Sequence, residues 1–190
     1  VKPSVLIGSV YEILGSANAD YTPDTKSYEL KVGLMGDDFE TGDFSSNEWK
    51  IEGKGVWVID SLNAHSGQYC IKSDNVNNNQ YTKLKLQVEV LADGPLTFYV
   101  KTSSESGYDV LEFYVNSFVV EKWSGETPWT KYTYDMKKGV YALEWRYRKD
   151  TSGSEGEDCV YLDNICFPPV SVTTMLESVT NLRYSIKNEN

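Results

Sequence analysis

The stretch "YTKLKLQVEV", residues 81–90, decides the fold class. Leu84, Leu86, Val88 and Val90 occupy every second position, with polar residues between them. Successive side chains of a β-strand point to opposite faces, so this spacing makes one apolar and one polar face. The same alternation recurs downstream. It places Leu96, Phe98 and Val100 together in "PLTFYVK", Leu111, Phe113 and Val115 in "DVLEFYVNS", and Leu143, Trp145 and Tyr147 in "VYALEWRYRK". The last such run is "CVYLDNICF", residues 159–167. Gly, Ser, Asn and Asp separate the runs and supply turns. The pattern predicts an all-β, antiparallel two-sheet sandwich of jelly-roll type, with about 10–13 strands and no helix beyond about two turns.

Upstream the pattern is less regular. "VLIGSVYEIL" (5–14) reads as one apolar strand, followed by the turn-rich "GSANADYTPDT" (15–25) and the alternating "SYELKVGL" (27–34). Two strands do not make an independent domain. Residues 1–34 are therefore read as the tail of a preceding Ig-like module or as extra strands on the main sheet. Residues 35–169 are the jelly-roll domain. Residues 170–190 follow the pair Pro168-Pro169, which ends a strand and stiffens a linker. Within them "TTMLESVTNL" is linker, and "VTNLRYSIKNEN" resembles the opening strand of a fibronectin type III module. The chain starts at Val1 rather than Met, which is read as a sign that a signal peptide or more protein preceded it.

Composition narrows the function. The chain has 190 residues and a formal net charge of −10, with fourteen Tyr and five Trp. An acidic chain gains nothing from counterion release at phosphate, so nucleic acid and anionic membranes are poor partners. No apolar run approaches a membrane span, so no membrane insertion is expected. Cys70, Cys159 and Cys166 cannot all pair within one chain, and whether Cys159 or Cys166 forms a disulfide stays open. His65 is the only histidine and no Cys-x-x-Cys occurs, so the usual zinc sites are excluded. His65 and Cys70 lie in one short segment with no orienting third group, which makes a poor nucleophilic dyad.

An ordered series of motifs runs from Asp37 to about Pro168. It comprises "DDFETGDF", "WKIEGKGVWVID", "AHSGQYCIKS", "LTFYVKTSSESGYDVLEFYVN", "EKWSGETPWTKYTYDM", "KKGVYALEWRYRKD" and "DCVYLDNICF". This series resembles the MAM-like, concanavalin-A-like jelly rolls of cell-surface proteins, and the cleaved-adhesin domains attached to gingipain-type bacterial proteases. Cysteine is absent beside the Phe39-Glu40 opening, unlike in animal MAM domains, which favours the bacterial branch. The resemblance implies that the first and last strands lie side by side, so that Glu40 meets Asp163. It also implies a structural Ca2+ held by Asp38, Glu40, Asp163 and a carbonyl near Ser66, since calcium takes six to eight oxygens. The alternative is that Glu40 and Asp163 bond backbone amides at a sheet corner.

The resemblance further implies a non-catalytic, extracellular adhesion or carbohydrate-binding module of a larger surface or secreted protein. Its partners would be a glycan or an extracellular host protein, and neighbouring domains of the same chain. If strands 96–101, 110–116 and 141–148 share a sheet, their outward residues make one patch. Tyr99, Lys101, Glu112, Tyr114, Arg146 and Arg148 belong to that patch, together with aromatic planes and fixed polar groups of the kind sugars need. Trp123 and Trp129, in the loop-like "KWSGETPW", are further candidates. The alternatives are a solvated outer face on a structural spacer or protein-interaction domain accessory to a secreted peptidase, and, distantly, a hydrolase.

Overall fold

A computed structural model describes residues 9–13, 28–32, 35–74 and 76–170, with backbone alone for the first two segments and for Met35. Thirteen strands and no helix occur among them. They are β1 (Ser9–Ile13), β2 (Tyr28–Val32), β3 (Met35–Asp37), β4 (Lys50–Gly53), β5 (Val56–Asp60), β6 (Cys70–Asp74) and β7 (Tyr81–Val90). Then follow β8 (Gly94–Ser103), β9 (Val110–Val115), β10 (Phe118–Trp123), β11 (Glu126–Met136), β12 (Gly139–Arg148) and β13 (Cys159–Phe167). All pairings are antiparallel.

One sheet has five strands in the order β10-β9-β12-β7-β4. The other has six, β11-β8-β13-β6-β5 plus β3 on β13, and β1 pairs β2 separately. The alternation read from the sequence becomes burial: every apolar residue named above on β7, β8, β9 and β12 is buried. These inner faces meet around Trp145, fully buried, whose ring lies 4.9 Å from Phe113, 5.4 Å from Phe98 and 5.9 Å from Trp49. Edge-on and tilted aromatic pairs of this kind add to the area term. The architecture is the predicted two-sheet sandwich. The first and last strands of the domain also adjoin as expected, with Asp37 opposite Ile165 and Gly36 opposite Cys166.

The β9–β10 hairpin turns on Asn116 and Ser117, both at positive φ (50° and 71°), the two-residue turn whose twist matches antiparallel strands. Asn116 is tied to β12 from both sides, its amide donating to Ala142 O at 2.8 Å and its Oδ1 accepting Ala142 N at 2.9 Å.

One expectation is corrected. Strands 110–116 and 141–148 share a sheet, but 96–101 does not: β8 lies in the six-stranded sheet between β11 and β13. The segment joining β8 to β9 crosses from one sheet to the other, closed by Ser104 Oγ donating to Asp109 O and Asp109 N to Glu105 O. Alternation decides which face of a strand is buried and is silent on which sheet the strand joins. The readings of residues 171–190 lie outside the described residues.

Candidate functional site

The outer face of the five-stranded sheet gathers four of the predicted ligand residues, Glu112, Tyr114, Arg146 and Arg148. Strand register sets them in rows. Lys122, Glu112, Arg146, Lys83 and Glu52 stand opposite one another across β10, β9, β12, β7 and β4. The row on one side carries Arg148 and Tyr81, and the row on the other Tyr114, Glu144, Lys85 and Lys50. Arg146 is the hub. Its guanidinium lies 4.4 Å from the Tyr114 ring centroid and 5.9 Å from that of Tyr81, a cation held between two tyrosines. Its Nε and Nη2 contact Glu144 Oε1 at 2.8 and 2.6 Å, and Nη1 donates to Tyr114 Oη at 2.9 Å.

Glu112 anchors the neighbouring strand. It is only 5 % exposed although it sits on an outer face, because the side chains around it cover it. Tyr114 Oη donates to its Oε2 at 2.7 Å, while Lys122 Nζ and Arg148 Nε reach its Oε1 at 2.9 and 3.3 Å. Burial pushes the Glu112 carboxyl up, but the Tyr114 and Lys122 hydrogen bonds and the Arg148 charge outweigh it and hold it below its ordinary value. Tyr114 is pushed up to about 12, by burial first and then by Glu112. The Tyr114 ring is therefore a neutral phenol, held between Glu112 and Arg146. Gly53 brings the β4 edge against Tyr81: at φ +118° a Cβ there would sit 2.3 Å from Tyr81 O.

Tyr99 and Lys101 lie on the far side of the molecule, on the outer face of the six-stranded sheet, so the single six-residue patch expected from sequence is two patches. Tyr99 stacks on His65 at 3.6 Å between centroids. Lys101 Nζ donates to Asn63 Oδ1 at 2.9 Å and lies over the Tyr161 ring at 4.7 Å. Trp129 joins this face, its Nε1 donating to Asn63 O at 3.0 Å and its ring edge-on to His65. The 61–69 segment thus covers these aromatics. Trp123 is not a loop residue: it ends β10 and packs on Phe98 (5.9 Å) and Tyr132 (5.2 Å) at the rim of the core.

Glu40 and Asp163 both reach the 65–69 segment and hold its amides. Glu40 accepts Gln68 N and Tyr69 N at 2.9 Å. Asp163 Oδ2 accepts His65 N and Ser66 N, and Oδ1 accepts Asn164 N. Ser66 Oγ accepts Asn164 Nδ2, and exposed Asp38 accepts Glu40 N. The corner is therefore built as the amide-bonding alternative describes. Asp163 is nevertheless fully buried, and burial pushes its carboxyl up to about 6 against the opposing amide bonds. Gly67, at φ +68°, leaves no room for a Cβ, which would fall 2.3 Å from Glu40 Oε1.

Among the described residues, the three carboxylates whose oxygens approach within 4.8 Å are Glu105, Asp109 and Asp150, not the predicted set. All three cysteines are free. Burial, then the charges of Asp60 and Asp163, push the Cys70 thiol up to about 12, the reverse of an activated nucleophile.

Sequence reading missed Tyr81, Lys83, Lys85 and Lys50. The signal was present: Tyr81, Lys83 and Lys85 occupy the alternate positions of the run that fixed the fold.

No protein-family model matches the sequence, and no curated protein does. Solved structures do. A carbohydrate-binding module described as from the beta-sandwich super family matches at 17 % identity and TM-score 0.51, over 75 % of this chain and 67 % of that one. The K1 and K3 cleaved adhesin domains of Lys-gingipain from Porphyromonas gingivalis W83 match at 15 % and 17 % identity and TM-scores of 0.53 and 0.52. They cover 70 % and 69 % of this chain and 96 % of each domain. At such identities the likeness concerns fold: this chain has the β-sandwich architecture that cleaved adhesin domains and carbohydrate-binding modules share.

Proposed function

We propose that the chain is a non-catalytic, extracellular carbohydrate-binding or adhesion module, and that its ligand lies on the outer face of the five-stranded sheet. The observation that supports this is the Tyr81–Arg146–Tyr114 arrangement. Tyr81 is 43 % exposed, so its ring remains available as a platform, and fixed polar groups surround it. The aromatics of the opposite face are engaged by the 61–69 segment and offer less free surface. A non-catalytic role fits the carboxylates of the proposed face: Glu112 and Glu144 are each paired with two cations. Binding of immobilised polysaccharides by the parent chain, by Tyr81→Ala and by Tyr114→Ala tests the reading. Loss of binding in both is expected, with an unchanged melting temperature for Tyr81→Ala and a drop of a few degrees for Tyr114→Ala, whose hydroxyl holds Glu112. Undiminished binding in both overturns the site, and no binding by the parent chain favours a structural spacer.

A structural Ca2+ at the 65–69 corner is a separate proposal, supported by the buried charge of Asp163 and the convergence of Glu40 on the same segment. Calcium should raise the melting temperature and chelator should reverse it, since a ligand that binds the native state alone stabilises it. An unchanged temperature leaves both carboxylates as amide anchors.

A further inference from the structure

Resting on the glycan reading above, we infer that the ligand is an acidic polysaccharide, one bearing carboxylate or sulfate groups, rather than a neutral one. Three adjacent rows, at the end of the face where Arg148 meets Tyr81, hold six cations: Lys50, Lys83, Lys85, Lys122, Arg146 and Arg148. They hold three carboxylates, Glu52, Glu112 and Glu144. In the chain as a whole the ratio is inverted, with 28 acidic and 18 basic residues. The face is thus a positive island on an acidic molecule.

The carboxylates of the island are already engaged. Glu112 is shared by Lys122 and Arg148, Glu144 by Arg146 and Lys83, and Glu52 is paired with Lys85 at 3.1 Å. Six cations against three carboxylates leave the island three positive charges in excess. Arg148 is the best placed of the six to meet a ligand: its side chain is 41 % exposed and only its Nε is held, by a Glu112 that it shares with Lys122. Among the described residues nothing takes the rest of its planar fork, which can meet an anion in the two-pronged geometry that suits carboxylate and sulfate. Five strands at their usual spacing make the island about 19 Å wide, enough for an extended chain to lie across it. The flanking tyrosine planes distinguish this surface from a plain cation cluster and favour a saccharide over an acidic peptide. The acidic remainder of the molecule repels polyanions that approach elsewhere, which confines binding to this face.

The test compares four probes on the same intact chain: polygalacturonate, its carboxyl-reduced neutral form, heparin and poly-L-glutamate. Polygalacturonate or heparin should bind and the neutral polymer should bind at least about tenfold more weakly. Arg148→Gln and Lys50→Glu should each weaken the acidic polymer by a similar factor while the melting temperature stays put. Added salt should weaken it as well. Heparin without polygalacturonate specifies sulfate, and the reverse specifies uronate. Equal binding of the neutral polymer, unaffected by Arg148→Gln, overturns the acidic assignment and leaves the glycan reading standing. Poly-L-glutamate binding as tightly as the sugars overturns both, whereas binding of none of the four overturns the acidic assignment alone and leaves the glycan reading to the immobilised-polysaccharide test.

Discussion

Replacing Arg146 with alanine separates a binding face from a merely solvated one. The side chain is 27 % exposed and makes its polar contacts to Glu144 and Tyr114. Its loss does not strand a buried charge, because Glu144 keeps Lys83 at 3.6 Å and Tyr114 keeps Glu112 at 2.7 Å. A partly exposed ion pair is worth at most about 1 kcal/mol after solvent screening, and a cation–π contact at such a site about 0.5–1 kcal/mol. The variant should therefore lose about 1–2 kcal/mol, which lowers the melting temperature of a domain this size by roughly 4–8 °C. Truncating Trp145, beneath it in the core, should cost about 3–5 kcal/mol. Thermal melts followed by circular dichroism give the first quantity, and polysaccharide binding below the transition gives the second. Binding should fall far more than stability does. Arg146→Lys should fail to rescue it, since an ammonium cannot span two tyrosines in a planar fork. A variant that melts like a core mutant, or that binds like the parent, refutes the reasoning.

Burial of ionisable groups sets three further outcomes. The Lys149 side chain is 1 % exposed and contacts Asp109 at 2.8 Å and Asp158, so Lys149→Met strands Asp109 and should cost about 3–5 kcal/mol in urea unfolding. A cost under about 1 kcal/mol would show the pair to be solvated. For Asp163 the folded value of about 6 lies above the ordinary 3.8, so the folded state binds the proton more tightly. Its contribution is fully present below about pH 4 and is lost as pH rises through 6, up to roughly 3 kcal/mol. Carboxyl NMR of Asp163 should show the high titration, and an ordinary midpoint would contradict it. Cys70, fully buried and with its thiol pushed up to about 12, should resist maleimide in the native state and react once unfolded.

The parts of this architecture that local chemistry dictates were legible. Alternation in 81–90, 95–101, 109–117 and 140–149 identified buried Leu84, Phe98, Phe113 and Trp145 one by one, because a pleated strand leaves no other choice of face. Sheet membership was not legible. β8 and β9 read alike along the chain, and only the pairing of β8 with β11 and β13, and of β9 with β12 and β10, separates them. That choice is made by contacts distant in sequence. Tyr99 and Lys101 were consequently joined to Tyr114 and Arg146, with which they share no surface. Trp123 looked like a loop residue because Ser124 and Gly125 follow it, yet the strand runs through Trp123 and turns the ring inward. Glu112 could not be recognised as buried from sequence, since Tyr114, Lys122 and Arg148 cover it from three strands.

On the proposed function, ligand meets the outer face of the five-stranded sheet. Backbone-amide NMR during titration with polygalacturonate, and with a neutral β-linked polysaccharide in parallel, tests it most directly. Shifts should gather at Lys50, Tyr81, Lys83, Tyr114, Arg146 and Arg148 and leave the opposite face still. Shifts gathered instead at His65, Tyr99, Lys101 and Trp129 would contradict the account and move the site to the six-stranded sheet.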